Sequence, residues 1–364
     1  PFMEDRRESY VHPFVAGLLD RLTAAGYACY IVGGAARAIL GGAAANDWDV
    51  ATPATPGDLK VVLSGLNLIE KGERHGTVGV EAGGVSVEFT TFRSEGDYSD
   101  HRRPDSVAFV NDIREDLSRR DFTVNAFALE WPGLGVVDPF GGIDDMRKGI
   151  LRAVGVPRER FAEDPLRVMR AVRFVAQNGW TIEARTRNAI AASAGLLEHI
   201  SRERVRDELS RLILGEHVAV ALREMIHLGI MRQVIPEFGP CVGYPTGSTT
   251  GDTLDEHAVS VTSLVRPELS LRLAALLHDI AKPHTLVRDE SGSGHFYGHD
   301  KAGAEMAGLG LERLRYPGAV RGKVQSLIRE HMFFYNATVT DAAIRRLIAR
   351  VGSQNVLDLI ELRK

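Results

Sequence analysis

Two aspartates and two glycines near the start of the chain have the residue types and the spacing that phosphoryl chemistry requires. The apolar run Tyr30–Val32 predicts a buried strand that breaks at Gly33 and Gly34, where a helix-like segment begins. Asp47 and Asp49 lie on a second predicted strand, and residues two apart on a strand share a face. Glycines let backbone N–H groups approach a phosphate at a helix start, and converging carboxylates suit Mg²⁺. A triphosphate with two Mg²⁺ indicates phosphoryl or nucleotidyl transfer.

Each half of this pattern is common by itself, because Gly-Gly after a strand is mostly a tight turn and Asp-x-Asp is mostly a solvated strand end. With thirteen residues from Gly34 to Asp47, the combination resembles the head of the polymerase-β-type nucleotidyltransferases. Within that group it is similar to the bacterial class II tRNA nucleotidyltransferase and poly(A) polymerase branch. That family usually has an aspartate after the arginine of this motif. This chain has Ala38 after Arg37, so no carboxylate partner for Arg37 is evident.

A second motif follows further along the chain. Arg119 and Arg120 precede Asp121 and an apolar, helix-like segment in which Asn125 lies four residues on, on the same helical face. Adjacent arginines are ordinarily a surface charge run, but their position after the first motif resembles the family's motif for the nucleotide's sugar and phosphates. The metal and nucleotide ligands that the resemblance implies are Asp47, Asp49, Gly33, Gly34, Arg37, Arg119, Arg120, Asp121 and Asn125.

An acidic residue, Glu88, lies inside an otherwise apolar strand. Residues 78–80 and 85–92 predict a hairpin that turns at two glycines, with Glu88 in its second strand. A charged residue in such a strand requires a reason. Two interpretations weigh equally: Glu88 is a third catalytic metal carboxylate beside the aspartate pair, or it is an edge residue that faces water.

Two polar segments flank the second motif. Residues 93–116 show little periodicity and predict a long functional loop. In the family such a loop helps the enzyme switch between bases, which favours an enzyme that adds C. The run from Asp138 to Asp145 predicts a turn. Asp138, Gly142 and Asp145 also match the family's linking motif, for which we expect a structural coupling role.

The most specific signature is Glu163-Asp164-x-x-Arg167. Local physics explains part of it, with Asp164 as N-cap, Pro165 at the first helical position and a helix that runs to Asn178. A cap requires neither Glu163 nor Arg167. The pattern resembles the family's amino-acid template, whose side chains pair with the incoming base through donors and acceptors that suit a base edge. In this interpretation Glu163 orients Arg167 from one helical turn away.

Further arginines are candidate RNA contacts. Arg167, Arg170 and Arg173 predict a basic ridge along one helix. Ser201 is a predicted cap for the next arginine-rich helix, which includes Arg204. A solvated face with charge pairs and a contact to the RNA backbone weigh equally for that helix.

A second constellation follows a linker rich in Gly, Pro, Ser and Thr at residues 239–256. A His-Asp pair ends an apolar helical run, with histidines before and after it, and these are ligand types for one or two divalent metals. The set resembles the HD phosphohydrolase superfamily, which is fused to some tRNA nucleotidyltransferases. The implied ligands of Mn²⁺, Ni²⁺ or another divalent ion are His257, His278, Asp279, His299 and His331. No closing carboxylate of the HD pattern is evident, and Asp341 is a poor candidate.

Composition excludes several classes of protein. The 364 residues are 44% hydrophobic and 25% charged, which is typical of a soluble globular protein with two or more domains. No apolar run approaches ~18 residues and no secretory signal is visible, so no membrane span is expected. Two cysteines are too few for a disulfide framework, which favours the cytoplasm. The net charge of −4 means that RNA must bind at a local basic face.

The sequence thus predicts an α+β chain with a polymerase-β-like, mixed-sheet head at 10–150, an all-helical neck at 151–240 and a helical HD domain at 250–364. We expect a tail to be missing after the final helix-like segment. The resemblance implies template-independent addition of C, A or both from CTP and ATP to the 3′ end of tRNA, with release of pyrophosphate. Poly(A) polymerase shares every head motif and is one alternative. The other is an HD metal phosphohydrolase whose head only binds nucleotide or RNA.

Overall fold

The computed structural model describes residues 10–45, 47–69, 76–95, 107–246, 252–290, 294–333 and 339–363. The chain divides into two compact units. The first runs to Asp164 and includes Ile182–Thr186, and the second comprises Pro165–Thr181 and the residues from Arg187 onwards. The first contains a mixed sheet and the second is mainly helical, which confirms the predicted α+β class. The predicted domain boundaries near 150 and 240–250 stay predictions.

The helices and strands of the first unit follow the predicted hydrophobic pattern. In chain order they are α1 (Pro13–Ala24), β1 (Tyr30–Val32), α2 (Gly33–Leu40), β2 (Asp47–Thr52), α3 (Pro56–Val62), β3 (Leu68–Ile69), β4 (Thr77–Ala82), β5 (Val85–Thr91), β6 (Arg93–Glu95), β7 (Val107–Phe109), α4 (Ile113–Ser118), β8 (Ala128–Glu130), β9 (Gly135–Val137), α5 (Gly142–Lys148), β10 (Ile150–Leu151) and α6 (Pro157–Glu163).

One sheet organises this unit. Its seven strands lie in the order β3-β4-β5-β2-β1-β8-β9, with β2 and β5 parallel and every other neighbouring pair antiparallel. Trp48 and Phe89 are buried on the face that packs against α1, while Val32 is buried on the other. Because side chains alternate along a strand, Asp47 and Asp49 lie on the face opposite Trp48, as predicted.

Two local predictions for this unit are wrong. Residues 93–116 are not a loop throughout, because β6 pairs with β7 and α4 follows; residues 96–106 lie outside the described residues. The helix predicted after Asp121 is a single 3₁₀ turn, Thr123–Asn125. Its backbone bonds elsewhere: the Thr123 N–H donates to the Arg152 carbonyl at 2.9 Å, and the Val154 N–H to the Asp121 carbonyl at 3.1 Å. Backbone groups committed to a distant segment cannot also form helix bonds.

The second unit is helical apart from short strands. In chain order its elements are α7 (Leu166–Asn178), β11 (Thr181–Ile182), α8 (Ala184–Ser193), α9 (Arg202–Ile213), α10 (Val218–His227), α11 (Ile230–Val234), α12 (Leu254–Leu264), α13 (Leu269–Leu277), α14 (Lys282–Thr285), β12 (Leu286–Arg288), β13 (Gly294–Phe296), α15 (His299–Arg313), α16 (Gly318–Glu330), α17 (Asp341–Val351) and α18 (Val356–Arg363). The end of β11 and the start of α8 belong to the first unit. None of the helices within the described residues is long and apolar enough to cross a bilayer.

Helix α13 is the buried centre of this unit. Leu271 is fully buried, and even Arg272 is only 5% exposed. The Arg272 Nη1 donates to the carbonyls of Ile213 and Gly215, each at 2.8 Å, so the buried guanidinium is hydrogen-bonded although burial lowers its pKa. The helix ends at His278. A packed helix therefore positions the His-Asp pair.

Candidate active site and metal centre

Three carboxylates line one cleft of the first unit. On the parallel strands β2 and β5, Asp49 lies directly opposite Glu88, and Asp47 lies opposite Ser86. All of them border a cleft of about 310 Å³. Glu88 is solvent-exposed, yet the cleft walls exclude part of its water, and this desolvation together with the Asp49 charge raises the pKa of Glu88. An oxygen-only donor set whose charges repel one another fits a hard divalent cation.

Gly33 lies against the carboxylate of Asp49. It begins α2 directly after β1, in the left-handed region at φ +63°, and a Cβ at this position would be 2.9 Å from Asp49 Oδ2. The N-cap residue Val32 provides no side-chain hydrogen bond to the first turn of α2. Glycine is therefore required here for backbone conformation and for close approach, next to helix amides suited to an anion.

Arg37 does have a partner, although the expected carboxylate is replaced by Ala38. Its Nη1 donates a short hydrogen bond to Oδ1 of Asn125, and the Asn125 Nδ2 donates to Asp121 Oδ1 at 2.8 Å. The Phe122 N–H donates to the same Asp121 oxygen at 2.8 Å. The 3₁₀ turn thus joins residues of the two predicted nucleotide motifs. The expected i,i+4 pairing of Asp121 and Asn125 exists even though the helix does not.

Asp116 lies just before the second motif, and the sequence analysis predicted no role for it. Its carboxylate is fully buried and forms ion pairs with both predicted nucleotide-binding arginines. Oδ1 lies 2.7 Å from Arg119 Nη2, and Oδ2 lies 3.1 Å from Arg120 Nη2. The signal was present in the sequence, because Arg119 and Arg120 lie three and four residues after Asp116, the spacing at which side chains meet on a helix.

The residues of the expected coupling motif hold the start of α5 and the 3₁₀ turn through carboxylate hydrogen bonds and one close backbone approach. Asp138 accepts hydrogen bonds from the N–H groups of Gly142 and Ile143 at the start of α5, at 2.8 and 3.0 Å. Asp145 accepts one from the Thr123 hydroxyl at 2.7 Å. A Cβ on Gly142 would be 1.9 Å from the Thr123 carbonyl oxygen, so α5 packs directly on the 3₁₀ turn. These contacts support a structural role.

The three predicted base-reading residues do not share one helix. Glu163 ends α6, Asp164 is its C-cap, and the N-cap position of α7 falls on Pro165. The prediction of Asp164 as N-cap is therefore wrong by one residue, and Glu163 is not one turn before Arg167 on a continuous helix. The break has a local cause: the residue before a proline avoids the α conformation, and Asp164 is extended at φ −134°, ψ 97°. Glu163 Oε1 lies 2.5 Å from Nη2 of Arg160.

Asp164 belongs to the first unit and Arg167 to the second, where Arg167 is 8% exposed. Their joint reading of a base stays a prediction.

The predicted basic ridge on α7 is wrong, because two of its arginines are buried. Arg173 is 9% exposed, its Nε lies 2.8 Å from Glu208 Oε2, and its guanidinium lies 4.8 Å from the centre of the Phe174 ring. Arg170 is half-buried and lies 6.0 Å from the same ring centre. A buried arginine has a large desolvation cost, which its carboxylate partner offsets. RNA roles for Arg170 and Arg173 stay predictions.

Helix α9 carries a mixture of charges. Ser201 has the predicted N-cap position, although its hydroxyl makes no capping hydrogen bond. Arg204 is half-buried, and Arg206 Nη2 lies 2.7 Å from Oδ1 of Asp207. Charge pairs are thus present on this helix, and an RNA contact by Arg204 stays a prediction.

The structure brings together the five predicted HD ligands, here called the histidine cluster: His257, His278, Asp279, His299 and His331. Asp279 lies between two halves. Its Oδ2 is 3.2 Å from His278 Nε2 and 3.7 Å from His257 Nε2. Its Oδ1 is 3.5 Å from His299 Nε2 and 3.7 Å from His331 Nε2. Each half holds three donor atoms that lie within 4.8 Å of one another.

The cluster is prepared for a cation. The Nδ1 atoms of His278, His299 and His331 lie 2.8, 2.7 and 2.6 Å from backbone carbonyls, so Nδ1 carries a proton in each ring. The Nε2 atoms face the Asp279 carboxylate, and in the neutral ring Nε2 would offer its lone pair to a metal. Burial, with His278 nearby, lowers the pKa of His331 to about 4. Oδ1 of Asp279 is buried and has no hydrogen-bond partner among the described residues. Bare nitrogens around an unbonded carboxylate oxygen fit a divalent metal.

Of two further residues, Asp341 is not part of the cluster, in agreement with its being a poor candidate, whereas Lys282 contacts the cluster. Asp341 is exposed in the first turn of α17 and is not part of either donor group found among the described residues. Lys282 was not assigned a role, yet its Nζ lies 2.7 Å from Asp279 Oδ2. Burial opposes ionisation of Asp279, but His278 and Lys282 outweigh it and hold the pKa of this carboxyl well below its usual range.

The fold and the sites define a nucleotidyltransferase head followed by helices that carry an HD centre. Comparisons with known families agree. The poly A polymerase head domain matches residues 29–152, the probable RNA and SrmB-binding site of polymerase A matches 179–241, and the HD domain matches 254–360. A crystal structure of the Bacillus stearothermophilus CCA-adding enzyme in complex with CTP is 30% identical with a TM-score of 0.71, covering 96% of this chain and 76% of that one. The chain belongs to the tRNA nucleotidyltransferase and poly(A) polymerase family.

Curated relatives give the same assignment over part of the chain. The CCA-adding enzyme of Geobacillus thermodenitrificans is 46% identical over 214 residues, and that of Lactiplantibacillus plantarum is 46% identical over 215. Each match covers 59% of this chain and 52% of the relative, so the chain spans about half the length of these relatives. The Thermotoga maritima CCA-adding enzyme complexed with tRNA, at 19% identity and a TM-score of 0.60, shares the fold. The family depends on divalent metals. Separately, the histidine cluster is a group that could hold a metal ion.

Proposed function

We propose that this protein adds C, A or both from CTP and ATP to the 3′ end of tRNA. The observation that carries the proposal is the cleft in which Asp47 and Asp49 lie beside the glycine start of α2. Membership of the family and the CTP complex of the Bacillus stearothermophilus relative support the nucleotide substrate. A cytoplasmic location is part of the proposal, and the two free, buried cysteines agree with it.

The residues of the cleft have separate tasks in this proposal. Asp47 and Asp49 would hold two Mg²⁺, with Glu88 as the third candidate. When bound, such ions lower the pKa of an attacking hydroxyl and neutralise leaving oxygens. Gly33 and Gly34 let helix amides approach the triphosphate. Since this kind of transfer consists mainly of positioning and charge neutralisation, no covalent nucleophile is required.

The arginines of the first unit would position the nucleotide. Arg37, Arg119 and Arg120 present guanidinium N–H groups, which suit phosphate oxygens. Arg120 and Asp121 would fix the sugar. Asn125 would keep Arg37 in place, which its hydrogen bonds to Arg37 and Asp121 support. Asp164 and Arg167, with Glu163, would read the base, and Arg170, Arg173 and Arg204 are the proposed RNA contacts.

The length of the product tests the proposal. The full chain is incubated with a tRNA that lacks its terminal nucleotides, first with CTP alone and then with CTP and ATP. We expect addition to stop after at most three nucleotides. Long A tails with ATP alone would instead identify a poly(A) polymerase. No extension with any nucleotide, while the Mg²⁺-containing protein remains folded, would contradict nucleotidyl transfer.

The geometry of the histidine cluster favours a second activity, metal-dependent phosphohydrolysis. Asp279 presents one oxygen to each half, so the five residues of the cluster would hold one or two divalent ions. We propose that Mn²⁺, Ni²⁺ or another divalent ion binds there and that the protein hydrolyses phosphodiesters or phosphomonoesters. Metal analysis after saturation with Mn²⁺ or Ni²⁺, followed by assays with bis-p-nitrophenyl phosphate and p-nitrophenyl phosphate, tests this activity.

A further inference from the structure

Asp116 is a buried carboxylate beside the two predicted nucleotide-binding arginines. In this position it is neither an acid catalyst nor a metal ligand. It is 0% exposed, while the side chains of its partners Arg119 and Arg120 are 16% and 17% exposed. A carboxylate so deeply buried cannot touch a bound nucleotide directly. Its ion pairs are instead with two arginines whose side chains remain partly exposed.

Asp116 holds the two guanidinium groups in different ways. Arg119 approaches Oδ1 with both Nε and Nη2, at 3.0 and 2.7 Å, which fixes the plane of the guanidinium. Arg120 approaches Oδ2 with Nη2 at 3.1 Å, and its Nη1 reaches the Asn125 carbonyl at 3.3 Å. The Arg93 N–H also donates to Oδ1, at 3.3 Å. One carboxylate thus fixes two cations, and one of them, Arg120, also contacts the 3₁₀ turn.

The charge balance favours an anion. Two adjacent guanidinium groups repel each other, and a single negative charge between them reduces that repulsion without cancelling both positive charges. Burial opposes ionisation of Asp116, but Arg120 and Arg119 outweigh it and lower its pKa, so the carboxylate is ionised at neutral pH. A single carboxylate between two guanidinium groups therefore does not by itself neutralise both of them.

We propose that Asp116 is a positioning residue for the nucleotide triphosphate, acting through Arg119 and Arg120. The inference rests on the proposed function, because it assigns the two arginines to CTP. Asp116 does not touch the substrate; it sets the direction and spacing of the two cations that do. Losing it should weaken nucleotide binding more than it slows the bound complex.

Asp116→Asn tests this with almost no change of shape. The Kd values for CTP and for inorganic triphosphate are measured by calorimetry on the full chain in Mg²⁺ buffer. We expect both to rise about ten- to a hundredfold, as for hydrogen bonds between charged groups, with a matching rise in KM for CTP and kcat changed less than about threefold. Wild-type affinity in Asp116→Asn would overturn the proposal.

The matched control is Asp112→Asn in the same helix. Asp112 is exposed and caps α4 by accepting from the Arg114 N–H at 2.8 Å, and no contact to Arg119 or Arg120 is described for it. Asparagine keeps a capping oxygen at this position, so this variant should change the melting temperature little and leave both Kd values within about twofold. Equal weakening of CTP binding by Asp112→Asn would show a general effect of helix α4 and overturn the specific role of Asp116.

Leaving two partly buried cations without their anion could prevent folding, so a second comparison is needed. Arg119→Met is compared with Asp116→Asn/Arg119→Met, in which only Arg120 depends on the carboxylate. The double variant should bind CTP about tenfold more weakly than Arg119→Met. Equal affinity would overturn the proposal. Failure of the wild-type protein to bind CTP would overturn the proposed function itself, whereas wild-type binding with unchanged variants overturns only the role of Asp116.

Discussion

The two candidate metal centres of this protein differ in almost every physical property. The head centre consists of carboxylates on β2 and β5 that line a solvent-accessible cleft, so all of its donor atoms are oxygens. The histidine cluster is mostly buried, rich in nitrogen and built at the end of a packed helix. Oxygen donors in an open site suit Mg²⁺ that arrives with a triphosphate, whereas imidazole donors suit transition metals that remain bound. Burial and donor type therefore distinguish the divalent-metal chemistries that the two candidate centres of this chain suit.

The largest effect is expected for the head carboxylates. Asp49→Asn, and likewise Asp47→Ala, should reduce nucleotide addition about a thousandfold or more, because a ligand of the reacting centre is lost. Asp49→Asn also removes repulsion with Glu88, so the melting temperature should not fall. Rates of CTP addition and thermal unfolding check both statements. Addition at near wild-type rate by either variant would show that the head carboxylates are not the catalytic metal centre.

Gly33→Ala should reduce nucleotide addition about a hundredfold, because its Cβ would displace the Asp49 carboxylate. Gly42→Ala is the matched control: Gly42 also has positive φ, at +75°, but a Cβ there meets no atom within 4 Å. Both variants suffer backbone strain, and only Gly33→Ala should lose activity beyond its loss of stability. Equal kcat losses in the two would mean that strain alone acts.

Glu88→Gln decides between the two interpretations of that residue. As a third ligand, it should lower the rate of addition about tenfold and raise the Mg²⁺ concentration needed for half-maximal rate. Because desolvation and Asp49 raise the pKa of Glu88, neutralising it should not lower the melting temperature. The exposed Glu81→Gln on β4 serves as the control. An unchanged Mg²⁺ dependence would identify Glu88 as an edge residue.

Arg167→Ala tests base choice, which neither metal centre should control. We expect the ratio of kcat/KM for CTP over UTP to fall about tenfold, because a hydrogen-bonded base edge is left unpaired. Glu163→Ala should act more weakly. Arg170→Ala, one turn further along α7, should weaken tRNA binding without changing the ratio. An unchanged ratio in Arg167→Ala, with a lowered melting temperature, would restrict Arg167 to packing.

The smallest effect on nucleotide addition is expected from the histidine cluster. Asp279→Ala or His278→Ala should abolish binding of Mn²⁺ or Ni²⁺ and any phosphohydrolase activity, while nucleotide addition stays within about twofold. Elemental analysis of the dialysed proteins and parallel assays measure this, with chelator-treated wild-type protein as control. If wild-type protein saturated with Mn²⁺ or Ni²⁺ retains no metal, the histidine cluster is only part of a helical structure and is not a second metal centre.

Local sequence patterns predicted the strands of the head well, because alternation and glycine positions determine them. The β2 alternation correctly separated Trp48 from the aspartates. What failed depended on distant partners: the segment after Asp121 is apolar enough for a helix, but its backbone bonds to residues 152–154. The break at Pro165 was misplaced by one residue because two adjacent helices end and begin there. Similarly, the resemblance to the HD superfamily implied the five residues of the histidine cluster, but the division of Asp279 between two halves required the fold.

Gly142 has a consequence for how the head can move. With no side chain between them, the backbone of α5 and the turn that carries Asn125 are in direct contact, and a methyl group would lie 1.9 Å from the Thr123 carbonyl oxygen. A contact of backbone against backbone has no side-chain rotamers that could adjust to a displacement. We therefore expect α5 and the turn that holds Arg37 to move together rather than separately.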